Sequence, residues 1–264
     1  ADSYRTVAGL DYAINKNTLL GFAFGSSKTQ FDVAERDTSG LVESNSLAFY
    51  GSKDFDKMYL KGALSYDWLD AETRRFAFVE GSTAPIIPVA GVANNLQAQF
   101  DGKTFNGRLE AGYKTNWKKL NITPFAGVQL SFAKIGAATE TAAESDDALA
   151  LAYSKNDAYS APVFVGAQID SMFMLSEGSI QPYAKLSFAH DFSTKRAMEA
   201  SFVSAPGYKF EVQGAVPDAN TMDVNLGFKM TSITNLAFYG QFNGQYSENG
   251  AKNEGGTLGL EVHW

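Results

Sequence analysis

The chain has no cysteine among its 264 residues, so it can form neither disulfides nor thiolate metal sites. It has only two histidines and seven prolines. Positive charge is scarce: 22 Lys and Arg stand against 29 Asp and Glu, a net charge of −7. A nucleic-acid partner would need a basic face, so that class is excluded. No apolar run reaches the roughly 18–20 residues of a membrane helix. The Gly-x-Ser-x-Gly elbow of common serine hydrolases is missing. Mean hydropathy is −0.18, the value of a soluble protein. A membrane β-barrel remains open, because half of each barrel strand faces a polar lumen and lowers the average.

What the chain has is aromatic residues and glycine: 20 Phe, 12 Tyr, 3 Trp and 24 Gly. Phe and Tyr favour strands. Alternation with a period of two recurs almost everywhere, and it is one-sided. In "MDVNLGFKM" (222–230), Met222, Val224, Leu226, Phe228 and Met230 oppose Asp223, Asn225, Gly227 and Lys229. In "MYLKGALSYDW" (58–68), Leu60, Leu64, Tyr66 and Trp68 oppose Lys61, Ser65 and Asp67. Charged residues of both signs sit in mid-strand on the polar face. That face therefore reads as a wet lumen lined by Arg5, Asp11, Lys61, Asp67, Arg108, Glu110, Lys114, Asp170, Lys185, Asp223, Lys229 and Glu261.

The breaks alternate in length. Short ones fall at 14–17, 54–57, 116–119, 175–178 and 232–235. Long ones fall near 32–43, 70–103, 136–157, 193–219 and 247–255. Short turns at one end and long loops at the other are the layout of an outer-membrane barrel. The segments between them predict eleven strands: 3–14, 18–31, 44–54, 57–70, 104–116, 119–135, 157–174, 179–192, 219–231, 235–247 and 256–264. Each is long enough for the 9–11 residues of a tilted membrane strand. The expected fold class is thus all-β, an antiparallel up-and-down transmembrane barrel. Ala1 is neither an initiator Met nor part of a signal peptide, which reads as a mature form or a fragment.

Candidate chemistry is sparse. His190 and Asp191 are adjacent, and neighbours on a strand point to opposite faces, so they make a poor catalytic dyad. His263 alternates with Val262 and Trp264 and reads as a polar lumen residue. Glu140, Glu144, Asp146 and Asp147 crowd one segment without the regular spacing of a calcium loop. The expectation is no enzyme, no metal and no cofactor. Gly112, Gly127, Gly166 and Gly227 fall on the polar face, where small side chains would leave room for a threaded segment. A porin-like channel, an outer-membrane hydrolase and a soluble β-sandwich adhesin remain as rivals.

Several stretches together carry a resemblance. "AGLDYAINKNTLLGFAFGSS" (8–27), "FNGRLEAGYKTN" (105–116), "LNITPFAGVQLSF" (120–132), "ALALAY" (148–153), "VGAQ" (165–168), "IQPYAKLSFAHDF" (180–192) and the terminal "GGTLGLEVHW" follow in one order. They resemble the C-terminal translocator domain of autotransporters, the type V secretion systems of Gram-negative outer membranes. The resemblance implies a single barrel domain over 1–264, with twelve strands in all and a helix or linker threaded through it. The first strand, the linker helix and a covalently linked passenger would lie upstream. It implies a monomer in outer-membrane lipid, with long loops extracellular and the C-terminus periplasmic. It also implies that Gly259, Leu260, Val262 and Trp264 form part of a signal read by the barrel-assembly machinery.

Overall fold

The computed structural model describes residues 1–33, 37–81, 91–142, 148–194, 196–214, 216–232 and 236–262. In chain order its strands are β1 (Asp2–Asn15), β2 (Thr18–Val33), β3 (Thr38–Phe55), β4 (Met58–Val79), β5 (Val92–Tyr113), β6 (Thr115–Trp117), β7 (Leu120–Ile135), β8 (Ala138–Thr139), β9 (Thr141–Ala142) and β10 (Leu151–Tyr153). There follow β11 (Asn156–Ser160), β12 (Pro162–Asp170), β13 (Phe173–Leu175), β14 (Gly178–Asp191), β15 (Ala197–Phe202), β16 (Ala205–Gln213), β17 (Asn220–Ser232), β18 (Leu236–Ser247) and β19 (Lys252–Val262). No helix occurs among the described residues.

One antiparallel sheet dominates, in the order β1-β2-β3-β4-β5-β7-β12-β14-β17-β18-β19. These are the eleven expected staves, each hydrogen-bonded to its neighbour in the chain. At one end they are joined by tight turns at 16–17, 56–57, 118–119 and 176–177. Asp56 and Lys118 take positive φ there, as such turns require. The predicted turn at 232–235 lies almost wholly outside the described residues. β1 pairs only with β2 and β19 only with β18, so both outer edges of the sheet are unpaired. Ala1 and Val262 lie at opposite ends of the staves.

The opposite end corrects the expected boundaries. Much of what reads as loop is strand. β4 and β5 run for 22 residues each and stay in register from Met58↔Tyr113 to Val79↔Val92. At ~3.3 Å per residue that is about 70 Å of ladder, far more than a bilayer needs. The one-sided apolar pattern stops where lipid would stop, but backbone pairing does not depend on that pattern. The segment expected as one strand, 157–174, is instead β11, β12 and β13. It breaks at Ala161, whose N–H goes to the Asp191 carboxylate, and before Pro162, which has no N–H to give.

A second sheet, β16-β15-β10-β8, folds from the long connections. The extra hairpin suggested by 202–216 is real, as β15 and β16, but it joins this sheet rather than the staves. It packs against the outer part of β5, where Leu96, Ala98, Ala138, Ala150 and Ala200 are buried. Tyr153 stacks on Phe100 with ring centroids 5.5 Å apart. The staves hold little dry core beyond Tyr59, Phe125 and Phe164. Their other face exposes Phe22, Phe24, Leu64, Leu109, Val165, Phe188, Leu226, Phe238 and Leu260. An apolar surface of that extent belongs in lipid.

Candidate functional site

The ladders settle which side chains share a face, because directly paired residues of antiparallel strands point the same way. Starting from Arg5↔Ser27 and Asp11↔Gly21, the polar face runs through Ser46↔Asp67, Ser52↔Lys61↔Glu110, Ala63↔Arg108, Gln168↔Lys185↔Asn225, Asn121↔Asp170, Ser187↔Asp223, Gln181↔Lys229 and Ala237↔Glu261. Lys114 follows the end of β5 and bonds Asp54 at 2.5 Å. All twelve charged residues picked out in the sequence thus lie on one face.

That face is concave. Lys185 on β14 reaches Glu110 on β5 at 2.9 Å, across the intervening β7 and β12. Tyr183 on β14 donates to Gln241 on β18 at 2.5 Å, across β17. A cavity of about 670 Å³ is lined from seven staves by residues such as Arg108, Gln129, Lys185, Asp223, Asn243 and Asn253. A second, of about 460 Å³, holds Arg5, Asp67, Asn106 and Arg108.

Ten of the twelve charged groups on this wall have a hydrogen-bond partner among the described residues, and Lys61 lies over the Tyr59 ring. Glu110 is 5% exposed and accepts from Tyr59 at 2.9 Å, from Lys185 and from Arg108 at 3.3 Å. Arg108 and Lys185 lie over the Phe164 and Phe125 rings, 3.9 and 4.2 Å from the centroids. Asn106 joins Asp67, Ser65 and Ser131. Asp170 accepts from Asn121, Gln168 and Gln181. Lys229 pairs with Glu261, Gln245 with Asp223, and Tyr50 reaches Asp11. Tyr59, Asp54, Asn106 and Gln129 were missed in the sequence, although Tyr59 alternates with Leu60 and so carried the signal. A wall like this offers water and mixed charge, with few bare apolar surfaces to hold a passing chain.

The glycine reading needs correction. A Cβ on Gly112, Gly127, Gly166 or Gly227 would meet the rings of Tyr59, Phe164, Phe125 and Tyr183 at 2.3–2.7 Å. Their space is therefore filled by an aromatic ring from a neighbouring strand and is not left open for a threaded segment. Gly259 of the terminal strand sits under Tyr239 in the same way. Leu260 and Val262 point to the apolar side; His263 and Trp264 lie outside the described residues.

The hydrolase candidate dissolves in this geometry. His190 pairs across strands with Val163 and Asn220 and bonds Asn220 at 2.8 Å. Asp191 points the other way, to Ser160 and the N–H groups of Ala161 and Ser193. Among the described residues no group of His, Asp and Glu is arranged to hold a metal. Glu140 is instead a structural acceptor beyond the apolar belt, taking two bonds from Arg75, one from Tyr153 and one from the N–H of Leu151. Its former companions Glu144, Asp146 and Asp147 lie outside the described residues. Burial, then the Glu140 carboxylate, push the Tyr153 phenol up to about 12.

An antiparallel sheet, apolar on its convex face and wet on its concave face, defines a transmembrane β-barrel protein. The family model for the autotransporter beta-domain matches residues 1–243, and the chain belongs to that family. It is accordingly an outer-membrane β-barrel domain of the Gram-negative type, a translocator kind of domain and not a catalytic one. The translocator domain of NalP from Neisseria meningitidis has the same fold, with a TM-score of 0.75 at 14% identity over 99% of this chain and 81% of that one. The transport unit of AIDA-I from Escherichia coli gives 0.58 at 11% identity, covering 99% and 82%. An extracellular serine protease of Serratia marcescens is 19% identical over 254 residues, 94% of this chain but only 23% of the protease. The chain thus spans about a quarter of that relative's length.

Proposed function

We propose that this chain anchors, and conducts to the cell surface, a passenger joined to it upstream, and that its barrel is closed by a twelfth strand. The observation that carries the reading is the pair of unpaired edges on β1 and β19. Lipid does not tolerate open backbone donors and acceptors, and bacterial barrels have even strand counts. One more antiparallel strand, entering from the short-turn end and leading into Ala1, pairs with both edges and makes twelve. The concave wall of Arg5, Asp11, Lys61, Asp67, Arg108, Glu110, Lys114, Asp170, Lys185, Asp223, Lys229 and Glu261 then becomes the lumen. The long connections face outside and β19 ends on the periplasmic side. The barrel acts as a monomer, and Gly259, Leu260, Val262 and Trp264 serve as the strand read by the barrel-assembly machinery.

The experiment is to express the gene product with its own upstream sequence and an epitope tag in the passenger. The tag should become accessible to antibody on intact cells, and protease should nick the 136–157 segment from outside. A steady open conductance with no upstream passenger, or cleavage confined to the short turns, would refute the reading.

A further inference from the structure

On the convex face, one row of aromatics crosses four neighbouring strands: Tyr66↔Phe105↔Phe132↔Tyr159. From Tyr113 to Phe105 the apolar side of β5 covers about 27 Å of strand, or roughly 20 Å of depth at the usual tilt, so this row marks an interface of the bilayer. The next row, two residues or about 7 Å further along the strands, is Trp68↔Lys103↔Lys134↔Asp157. Lys103 and Lys134 are therefore direct cross-strand partners on the lipid side. Both are exposed.

Like charges placed directly opposite one another destabilise a sheet. Two other cations on the same side of this rim have carboxylates of their own: Lys28 bonds Glu43 at 2.8 Å and Arg74 bonds Glu72 at 2.7 Å. Neither Lys103 nor Lys134 forms an ion pair among the described residues. The nearest acidic positions are neighbours of the pair that form no ion pair with it. Asp157 is on the far side of Lys134, and Asp101 sits opposite Asp70 one step further from the aromatic row. No carboxylate is hydrogen-bonded to either ammonium group among the described residues, and both lysines stand one row beyond the aromatics.

We propose that Lys103 and Lys134 form a binding site for the phosphate of a lipid headgroup, specifically a phosphorylated glycolipid of the outer leaflet. An anion between the two lysines removes their repulsion, and lysines just outside the hydrocarbon attract anionic lipid. Trp68 and Tyr66, whose rings meet edge-on at 4.9 Å, flank the site with an amphipathic surface suited to the sugar and acyl boundary. The choice of the outer leaflet rests on the orientation proposed above; the phosphate site itself does not.

The test is native mass spectrometry of the purified full-length protein in neutral detergent, with lipid A, dephosphorylated lipid A or phosphatidylglycerol added as probe. The wild type should retain lipid A at least fivefold better than the Lys103→Gln/Lys134→Gln variant. It should discriminate weakly or not at all for the dephosphorylated probe. Lys28→Gln, which removes a rim lysine that already has a partner, should bind as the wild type does. An unchanged heat-modifiable gel shift checks that the variants fold. Equal retention by wild type and double variant, or equal loss in Lys28→Gln, overturns the site. Lysine-dependent retention of phosphatidylglycerol as strong as that of lipid A overturns the glycolipid assignment. Lipid A binding combined with protease access to the long connections only from the periplasm would leave the site standing and sink the orientation.

Discussion

Replacing Leu226 with Arg separates the two faces of the sheet. Leu226 lies midway between the ends of β17, Asn220 and Ser232, and is 49% exposed on the convex side. Its ladder partners are Ala184 and Phe242, neither of which can meet a guanidinium. Arg at the bilayer midplane of a barrel costs about 2–4 kcal/mol, a shift of roughly 30- to 700-fold in the folding constant. The control must sit at similar depth on the concave face. Asn225 is a poor choice because Lys185 stands directly opposite and would add repulsion. Asn243 is better: its partners are Asn225 and Gly255, and its hydrogen bonds run to Gln241 and Thr257. Asn243→Arg loses those contacts and should cost within about 1 kcal/mol. The measurement is reversible folding into lipid vesicles against urea. Equal destabilisation by both variants would mean that the convex face does not meet hydrocarbon, and the barrel reading would fall with it.

Other outcomes follow from local geometry. Glu140→Ala strips four hydrogen bonds from the small sheet; Arg75 keeps some exposure, so the local loss should be about 2–3 kcal/mol, below that of a fully buried pair. Limited proteolysis should then cut within 148–156 far sooner while the barrel's urea midpoint stays put, and a parallel fall in the midpoint would show that the two sheets unfold as one. Because the folded sheet holds the Tyr153 proton more tightly than the ordinary 10.0, its contribution is complete below pH 10 and lost as pH rises towards about 12. The protection of β10 amides, with the base-catalysed intrinsic exchange rate divided out, should fall across that window in the wild type and not in Tyr153→Phe. Gly127→Ala drives a methyl to 2.2 Å from the Leu109 carbonyl and 2.4 Å from the Phe164 ring, at about 1–3 kcal/mol, whereas Gly255→Ala meets nothing; urea midpoints that move equally would remove the ring-over-glycine account. Trp264→Asp should lower the amount inserted in cells more than refolding yield in detergent, and equal losses would make the residue an anchor only.

The sequence alone determined the staves and their faces. A period of two is a property of extended backbone, so alternation in "MDVNLGFKM" carried both the strand and its orientation. Two-residue turns punctuated it, and the count of eleven followed, with the odd number pointing to a missing partner for the outer edges. The twelve charged residues could be placed on one face for the same reason: parity is local. Distance across the curled sheet is not local. That Lys185 reaches Glu110, or that a ring from one strand lies over a glycine of the next, depends on register and curvature, which no single segment encodes. The outer ends show the same division. Beyond the bilayer no hydrocarbon enforces an apolar outer side, so the lipid-facing pattern disappears while the ladder of β4 and β5 continues, one face of outer β5 being covered by the small sheet. The small sheet over it is assembled from short pieces far apart in the chain, held by the Arg75–Glu140 pair and a few buried alanines. Only the tertiary structure could bring those together, because their stability comes from packing rather than from any periodicity of their own.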